Sequence, residues 1–140
     1  MKPSKVADIM VRNLITCKAS DTLAQARQLM KDGQVRHVPV LDEQGQLVGL
    51  VTQRAILRET LLIASRFGIA DLEYQEQKKL VSEIMEDDLK TIPSDMSLLE
   101  AGRYFTKCKQ GCLPVVDAGQ LVGIITSADF VKLSISLLED

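Results

Sequence analysis

Two short phrases of this chain could do chemistry, and they are nearly the same phrase. Gly123 to Phe130 reads GIITSADF, and Gly49 to Ile56 reads GLVTQRAI. Both offer a threonine hydroxyl after two aliphatic residues. Only the later one adds a carboxylate, Asp129, where the earlier has Ala55. A strand that ends in threonine and runs into a helix exposes backbone N–H groups at the helix start. In that setting Thr126 and Asp129 fit an N-cap and an acid three residues on, close to a capping box. The same geometry suits a ligand. The N–H groups favour polar or anionic groups, and a carboxylate accepts a hydrogen bond from each hydroxyl of a diol. Ala55 keeps helix propensity but accepts nothing, so the earlier phrase retains only its cap, Thr52.

A second polar pair stands at Arg36-His37, and His37 is the only histidine. As a strand entrance the pair would face solvent or a carboxylate. As a ligand site, Arg36 would clamp a phosphate bidentately and His37 would add a pH-sensitive donor. The equivalent positions of the later copy are Gly111 and Cys112, with Lys107 and Lys109 nearby. Cys108, Cys112, Cys17 and His37 could in principle ligate zinc, but the Cys-x-x-x-Cys spacing is not the short one that marks such sites. No second histidine is present to activate a cysteine nucleophile.

These residues sit in an internal repeat. VADIM at 6–10 matches VSEIM at 81–85, HVPVLD at 37–42 matches CLPVVD at 112–117, and QLVGLVT at 46–52 matches QLVGIIT at 120–126. One residue is missing from the second copy, at the Gln44–Gly45 turn. Each copy reads as an opening segment ending in Ile-Met, a brief extended stretch (LITC or LKTI), a helix, two strands joined by a turn, and a closing helix. Ser20 or Asp21 would cap the first helix, and Gly33 would stop it. Its counterpart would start near Ser94–Asp95, with Leu98, Leu99, Tyr104 and Phe105 as apolar positions. The closing helices cover 53–66 and 127–139. The order is β-α-β-β-α, twice, an α/β fold (α and β mixed). The division is 1–66 for the first repeat, 67–80 for a linker and 81–140 for the second. The linker's charged tail at 73–79 leaves room for a further helix.

Bulk properties agree with a compact protein. The chain has 140 residues, 46% of them apolar, so it can bury a core, although aromatics are only 4%. A net charge of −2 argues against a nucleic-acid binder. Three cysteines and a charged N-terminus do not resemble a secreted disulfide framework, and no apolar run approaches membrane-spanning length. The expectation is a soluble cytoplasmic protein that touches neither membrane nor nucleic acid.

The paired openings, the R-H-V-P-V and C-L-P-V-V-D strands and the G-h-h-T-x-x-D phrase together resemble a cystathionine-β-synthase (CBS) domain pair, or Bateman module, of the stand-alone bacterial type. The resemblance runs from Val6 to Leu133. It implies tandem repeats related by a pseudo-twofold axis, and a regulatory module rather than an enzyme. No cofactor is required. The implied ligand is an adenosine-type molecule (AMP, ADP, ATP, S-adenosylmethionine or NAD) in a cleft between the repeats. It implies Thr126 and Asp129 at the ribose, Leu14, Ile15, Val35 and Ile124 around the base, and Arg36 and His37 at the phosphate. It further implies a homodimer of pairs and a regulated protein partner that the sequence does not name. The competing reading is a dimerisation or protein-interaction module that binds no small molecule.

Overall fold

The computed structural model describes residues 2–139. The chain forms α1 (Val6–Ile9), β1 (Cys17–Lys18), α2 (Leu23–Gly33), β2 (His37–Leu41), β3 (Leu47–Thr52) and α3 (Gln53–Phe67). After two short 3-10 turns and α4 (Leu72–Glu76) come α5 (Leu98–Lys107), β4 (Cys112–Asp117), β5 (Gln120–Thr126) and α6 (Ser127–Glu139). The doubled pattern read from the sequence is present, and both closing helices occupy their expected spans.

The local starts differ from expectation. Thr22, not Ser20 or Asp21, caps α2: its hydroxyl accepts from Gln25 N–H at 3.2 Å, and Gln25 Oε1 accepts from Thr22 N–H at 2.8 Å. That is a full capping box, and it outweighs a residue placed one step too early. Likewise Ser97, not Ser94 or Asp95, caps α5. Ser94 is instead held by Asp117, whose carboxylate accepts from Ser94 N–H at 2.9 Å and Oγ–H at 2.5 Å. Of the extended stretch LITC only Cys17 lies in a strand, and LKTI shrinks to a single parallel bridge between Ile92 and Val115. Leu99, an expected apolar position of α5, is 65% exposed.

One sheet runs β1-β2-β3, with β1 parallel to β2 and β2 antiparallel to β3; the other pairs β4 with β5. The two hairpins are bulged at matching places, Val40/Leu41 and Val115/Val116. Their turns solve the missing residue differently. Asp42 Oδ1 accepts from Gln44 and Gln46 N–H, both at 2.9 Å, across the longer turn. The shorter turn places Ala118 and Gly119 at φ 50° and 79°, the left-handed pair a tight two-residue hairpin requires.

Compactness does not follow the repeat boundaries. One unit is Ile15–Leu89; the other is Met1–Leu14 with Lys90–Asp140. Each unit therefore takes its opening segment from the other copy's numbering. Val6 N–H donates to Met96 O at 2.9 Å, and the equivalent Val81 N–H donates to Asp21 O at 2.7 Å. Leu98 N–H reaches Ser4 O at 2.9 Å, matched by Leu23 N–H to Lys79 O at 2.8 Å. Val11 bridges Ile124 as Glu86 bridges Leu50.

Each core forms accordingly. Val6 and Met10 join Ile92, Leu113, Val115 and Ile125, while Val81 joins Leu23, Val38, Val40, Val51 and Ile56. This explains the repeated Ile-Met and the repeated glycine together. A Cβ on Gly123 would stand 2.7 Å from Met10 Sδ and 3.0 Å from Val11 O; on Gly49, 2.5 Å from Met85 Sδ and 3.0 Å from Glu86 O. The thioether can swing aside, but the bridged backbone cannot without breaking its hydrogen bonds. Gly49→Ala and Gly123→Ala should therefore each cost about 1–3 kcal/mol, the usual range for overpacking. Urea unfolding measures this; a loss below the measurement error in both would show that the close approach is not required.

Candidate functional site

Thr126 and Asp129 are brought together at the start of α6. Asp129 Oδ2 accepts from Thr126 N–H at 2.8 Å and from the Thr126 hydroxyl at 3.2 Å. Half of the capping box is thus made, by an aspartate where glutamate is the commoner choice. Both residues are half-buried. Among the described residues no hydrogen bond reaches Asp129 Oδ1. The carboxylate is held at one oxygen and available at the other.

What fixes it is the packing of α6. Phe130 stacks edge-on against Phe105 of α5, with centroids 5.5 Å apart, and Phe130 also closes on Gly102. The first turn of α6 is thereby tied to α5 one residue beyond the carboxylate. One of the helix-start N–H groups is spent internally: Ser127 N–H points to Gly111 O at 3.5 Å.

The equivalent place in the first copy is built alike without the acid. Thr52 Oγ1 accepts from Ala55 N–H at 3.0 Å, and Gln53 N–H donates to Arg36 O at 2.9 Å. Ala55 is buried at 4% exposure, packed as core rather than offered to a ligand. Gln53 and Arg54, candidates to compensate for the missing acid, are exposed; Arg54 borders an apolar surface with Leu57, Arg58 and Leu61.

Arg36 and His37 lie in the unit Ile15–Leu89, whereas Thr126 and Asp129 lie in the other. Arg36 is exposed just before β2; His37 opens β2 opposite Thr52 and is half-buried. Of the expected base-slot residues, Leu14 and Ile124 belong to one unit, Ile15 and Val35 to the other, and all four are half-buried. Ile15 packs against Gly33 at the end of α2, where a Cβ would collide with its Cδ1.

Two of the three cysteines are buried. Burial pushes Cys17 and Cys112 each up to about 12, with Asp21 and Asp129 respectively adding to it, so both stay thiols near neutral pH. Among the described residues no group of three or more His, Cys, Asp or Glu side chains gathers as a metal site, and no described helix is long and apolar enough to cross a membrane.

Two features escaped sequence reasoning. Gln110, beside Cys112, accepts from Lys90 N–H at 3.2 Å and donates to Lys90 O at 3.0 Å and Cys112 O at 2.7 Å, holding the second copy's opening stretch to β4. Glu76 of α4 is only 5% exposed and is gripped by Arg27 of α2 and Thr60 of α3. The Arg27 hydrogen bonds draw its carboxyl below the ordinary value against the effect of burial. Neither has a local sequence signal, since the partners are up to 49 residues apart.

With this geometry in place, comparison with known proteins is direct. The family model for the CBS domain matches residues 6–61 and 81–136. A crystal structure from Vibrio cholerae described as an acetoin utilization protein (AcuB) is 37% identical at a TM-score of 0.80, covering 96% of this chain and 93% of that one. CBSX2 in complex with AMP is 28% identical (TM-score 0.75; 95% and 97% covered). The CBS domain pair of protein MJ0100, in complex with 5′-methylthioadenosine and S-adenosyl-L-methionine, is 25% identical (TM-score 0.79; 95% and 97% covered). The chain spans 24–42% of the length of the first curated relatives it matches, an inosine-5′-monophosphate dehydrogenase from Aquifex aeolicus among them.

A pH dependence follows from His37. Burial lowers its pKa from the ordinary 6.5, Arg36 adds to the lowering, and Glu86 opposes it. The unfolded chain then binds the proton more readily than the folded one. The contribution of His37 to stability is full above the unfolded value and is lost as pH falls below about 6.5. His37→Gln should remove that part of the acid-side loss. Denaturation midpoints compared between about pH 7.5 and 5.5 test this; parallel slopes in parent and variant would assign the loss to other groups.

Proposed function

The chain belongs to the CBS-domain family as a tandem pair, and on that premise we propose that it is a regulatory module sensing an adenosine-type nucleotide. The observation that carries this is the Asp129 carboxylate, anchored through Oδ2 to Thr126 with Oδ1 left to accept. A ribose diol supplies donors to that oxygen, and a charged acceptor makes each bond stronger than a neutral one. Two structural relatives are described in complexes with AMP and with S-adenosyl-L-methionine and 5′-methylthioadenosine, which supports the ligand class. In this reading Thr126 and Asp129 take the ribose, Arg36 and His37 the phosphate, and Leu14, Ile15, Val35 and Ile124 the base. Ala55 makes the first copy's phrase a helix cap without ribose recognition, so one nucleotide binds per chain. The nucleotide acts as a regulatory ligand, read out by a protein partner.

A second reading, an interaction module that needs no ligand, draws on exposed apolar stripes. On α6 Val131, Ile135 and Leu138 are 59%, 52% and 84% exposed; on α3 Leu57 and Leu61 are 60% and 63% exposed. Ile56 and Ile63 of α3 are already core. Spacings of three and four residues line each stripe along one helix face, and we propose that a second copy covers them. The two readings are compatible, because a dimer can carry a ligand.

Asp129→Ala tests the sensor. Losing one charge-assisted hydrogen bond costs roughly 1.5–3 kcal/mol, so AMP affinity measured by calorimetry should fall at least about tenfold. The lost cap contributes a separate ~1 kcal/mol of stability, measured alongside by thermal unfolding. A 2′-deoxy analogue should bind the parent poorly and lose little more in the variant. If folded Asp129→Ala binds AMP as tightly as the parent, the carboxylate is a helix cap only. For assembly, light scattering should give the mass of a dimer at micromolar concentration, and Leu61→Asp or Ile135→Asp should shift it towards monomer. A monomeric parent would refute the covered stripes.

A further inference from the structure

We propose a second small-molecule site, separate from the residues assigned to the nucleotide, in the pocket between the end of α3 and the linker. Its ligand is a small amphipathic monoanion: a carboxylate carrying an aliphatic tail. The pocket encloses about 250 Å³ and is lined from α3 by Glu59, Leu62, Ile63, Arg66 and Phe67. Gln75, Lys78, Lys79 and Glu83 complete it from α4 and the stretch that follows. All of these belong to the unit Ile15–Leu89.

The lining divides into two halves. Leu62, Ile63 and Phe67 form an apolar wall, and Leu62 and Phe67 remain 56% and 48% exposed. Small-molecule sites are built this way, with apolar walls and few polar groups that set orientation. The polar half carries three cations and two carboxylates, an excess of one positive charge. Both carboxylates are committed: Glu59 pairs with Lys79 at 3.3 Å, and Glu83 accepts from Leu80 N–H at 2.8 Å. Among the described residues neither Arg66 nor Lys78 pairs with a carboxylate. Lys78 lies over the Tyr74 ring, 4.9 Å from its centroid, which positions its ammonium without neutralising it.

The charge excess matches one negative charge, whereas a dianionic phosphate would leave a surplus beside Glu59 and Glu83. The Arg66 fork fits a carboxylate bidentately, and the tail would cover Leu62 and Phe67. Such a ligand joins the last turn of α3 to the linker that leads into residues 81–89. This site does not depend on the nucleotide reading.

Sodium octanoate is the probe, titrated into the full chain by calorimetry and followed by amide NMR shifts, with octylammonium as a control of equal carbon number and opposite charge. Octanoate should bind saturably, shift the Leu62, Arg66 and Phe67 amides, and bind at least tenfold more weakly to Arg66→Glu. Octylammonium should not saturate. AMP, titrated in parallel, should bind parent and Arg66→Glu alike, so failure of this site is distinguishable from failure of the nucleotide site. Absent or unsaturable octanoate binding, equal binding to octylammonium, or undiminished binding to folded Arg66→Glu would each overturn the proposal. Loss of AMP binding in Arg66→Glu would overturn the claim that the site is separate. Should Arg66→Glu fail to fold, Arg66→Gln gives the same comparison.

Discussion

The close approach of each opening segment to the glycine of a bulged hairpin is the constraint on which the rest depends. Met10 lies over Gly123 and Met85 over Gly49, and the neighbouring backbone bonds to the same strand on both sides. Those segments are numbered with one repeat and packed with the other. A repeat cut at its sequence boundaries would lack the valine its core needs: 1–66 would lack Val81 and 81–140 would lack Val6, both of which are fully buried. Removing either would leave a cavity in a core of few large side chains. Each half of the chain therefore folds around a piece tethered to the other.

From that frame the asymmetry at position 129 acquires its meaning. The two strand-to-helix turns are copies down to the cap, yet their polar groups are spent differently. In the first, Thr52 accepts from the helix, and the buried Ala55 fills space. In the second, the Thr126 hydroxyl donates towards Asp129, and the carboxylate stands where the alanine methyl would be. A half-buried carboxylate is costlier to desolvate than a methyl group, and Oδ1 is not sealed from solvent. Its presence in one copy only is the asymmetry that the proposed ribose contact accounts for.

Much of this was legible in the residues because a repeat gives every signal twice. The hairpins, both closing helices and the family likeness rest on patterns seen at two places with the same spacing, and the structure contains them. Starts of helices were less legible. Serine, threonine and aspartate crowd both α2 and α5 entrances, and only the reciprocal bond to Gln25, or the diversion of Ser94 to Asp117, selects among them. The first strand of each copy faded because a two-residue strand or a lone bridge leaves almost no periodicity to read. Tertiary pairings were not legible at all: nothing near Glu76 announces Arg27 or Thr60. For the candidate site, the pairing of Thr126 with Asp129 followed from spacing, whereas the roles of Arg36, His37 and the base-slot residues came from family resemblance.

The Glu76 cluster shows why the linker is more than a tether. A carboxylate at 5% exposure is tolerated only when paired and hydrogen-bonded. Here the guanidinium of Arg27 and the hydroxyl of Thr60 both serve it, joining α2, α3 and α4. Removing one partner of such a cluster costs far more than the intact cluster contributes, because it strands a buried charge. The arrangement therefore ties α4 to both α2 and α3 through one carboxylate. Lys79, three residues on, pairs with Glu59 and supplies the carbonyl that receives Leu23 N–H. Only then does the chain reach Val81, whose N–H must meet Asp21 O for the core to close. The polar cluster and the Lys79 contacts thus hold the stretch of chain that runs directly into the second opening segment, whose Met85 lies over Gly49.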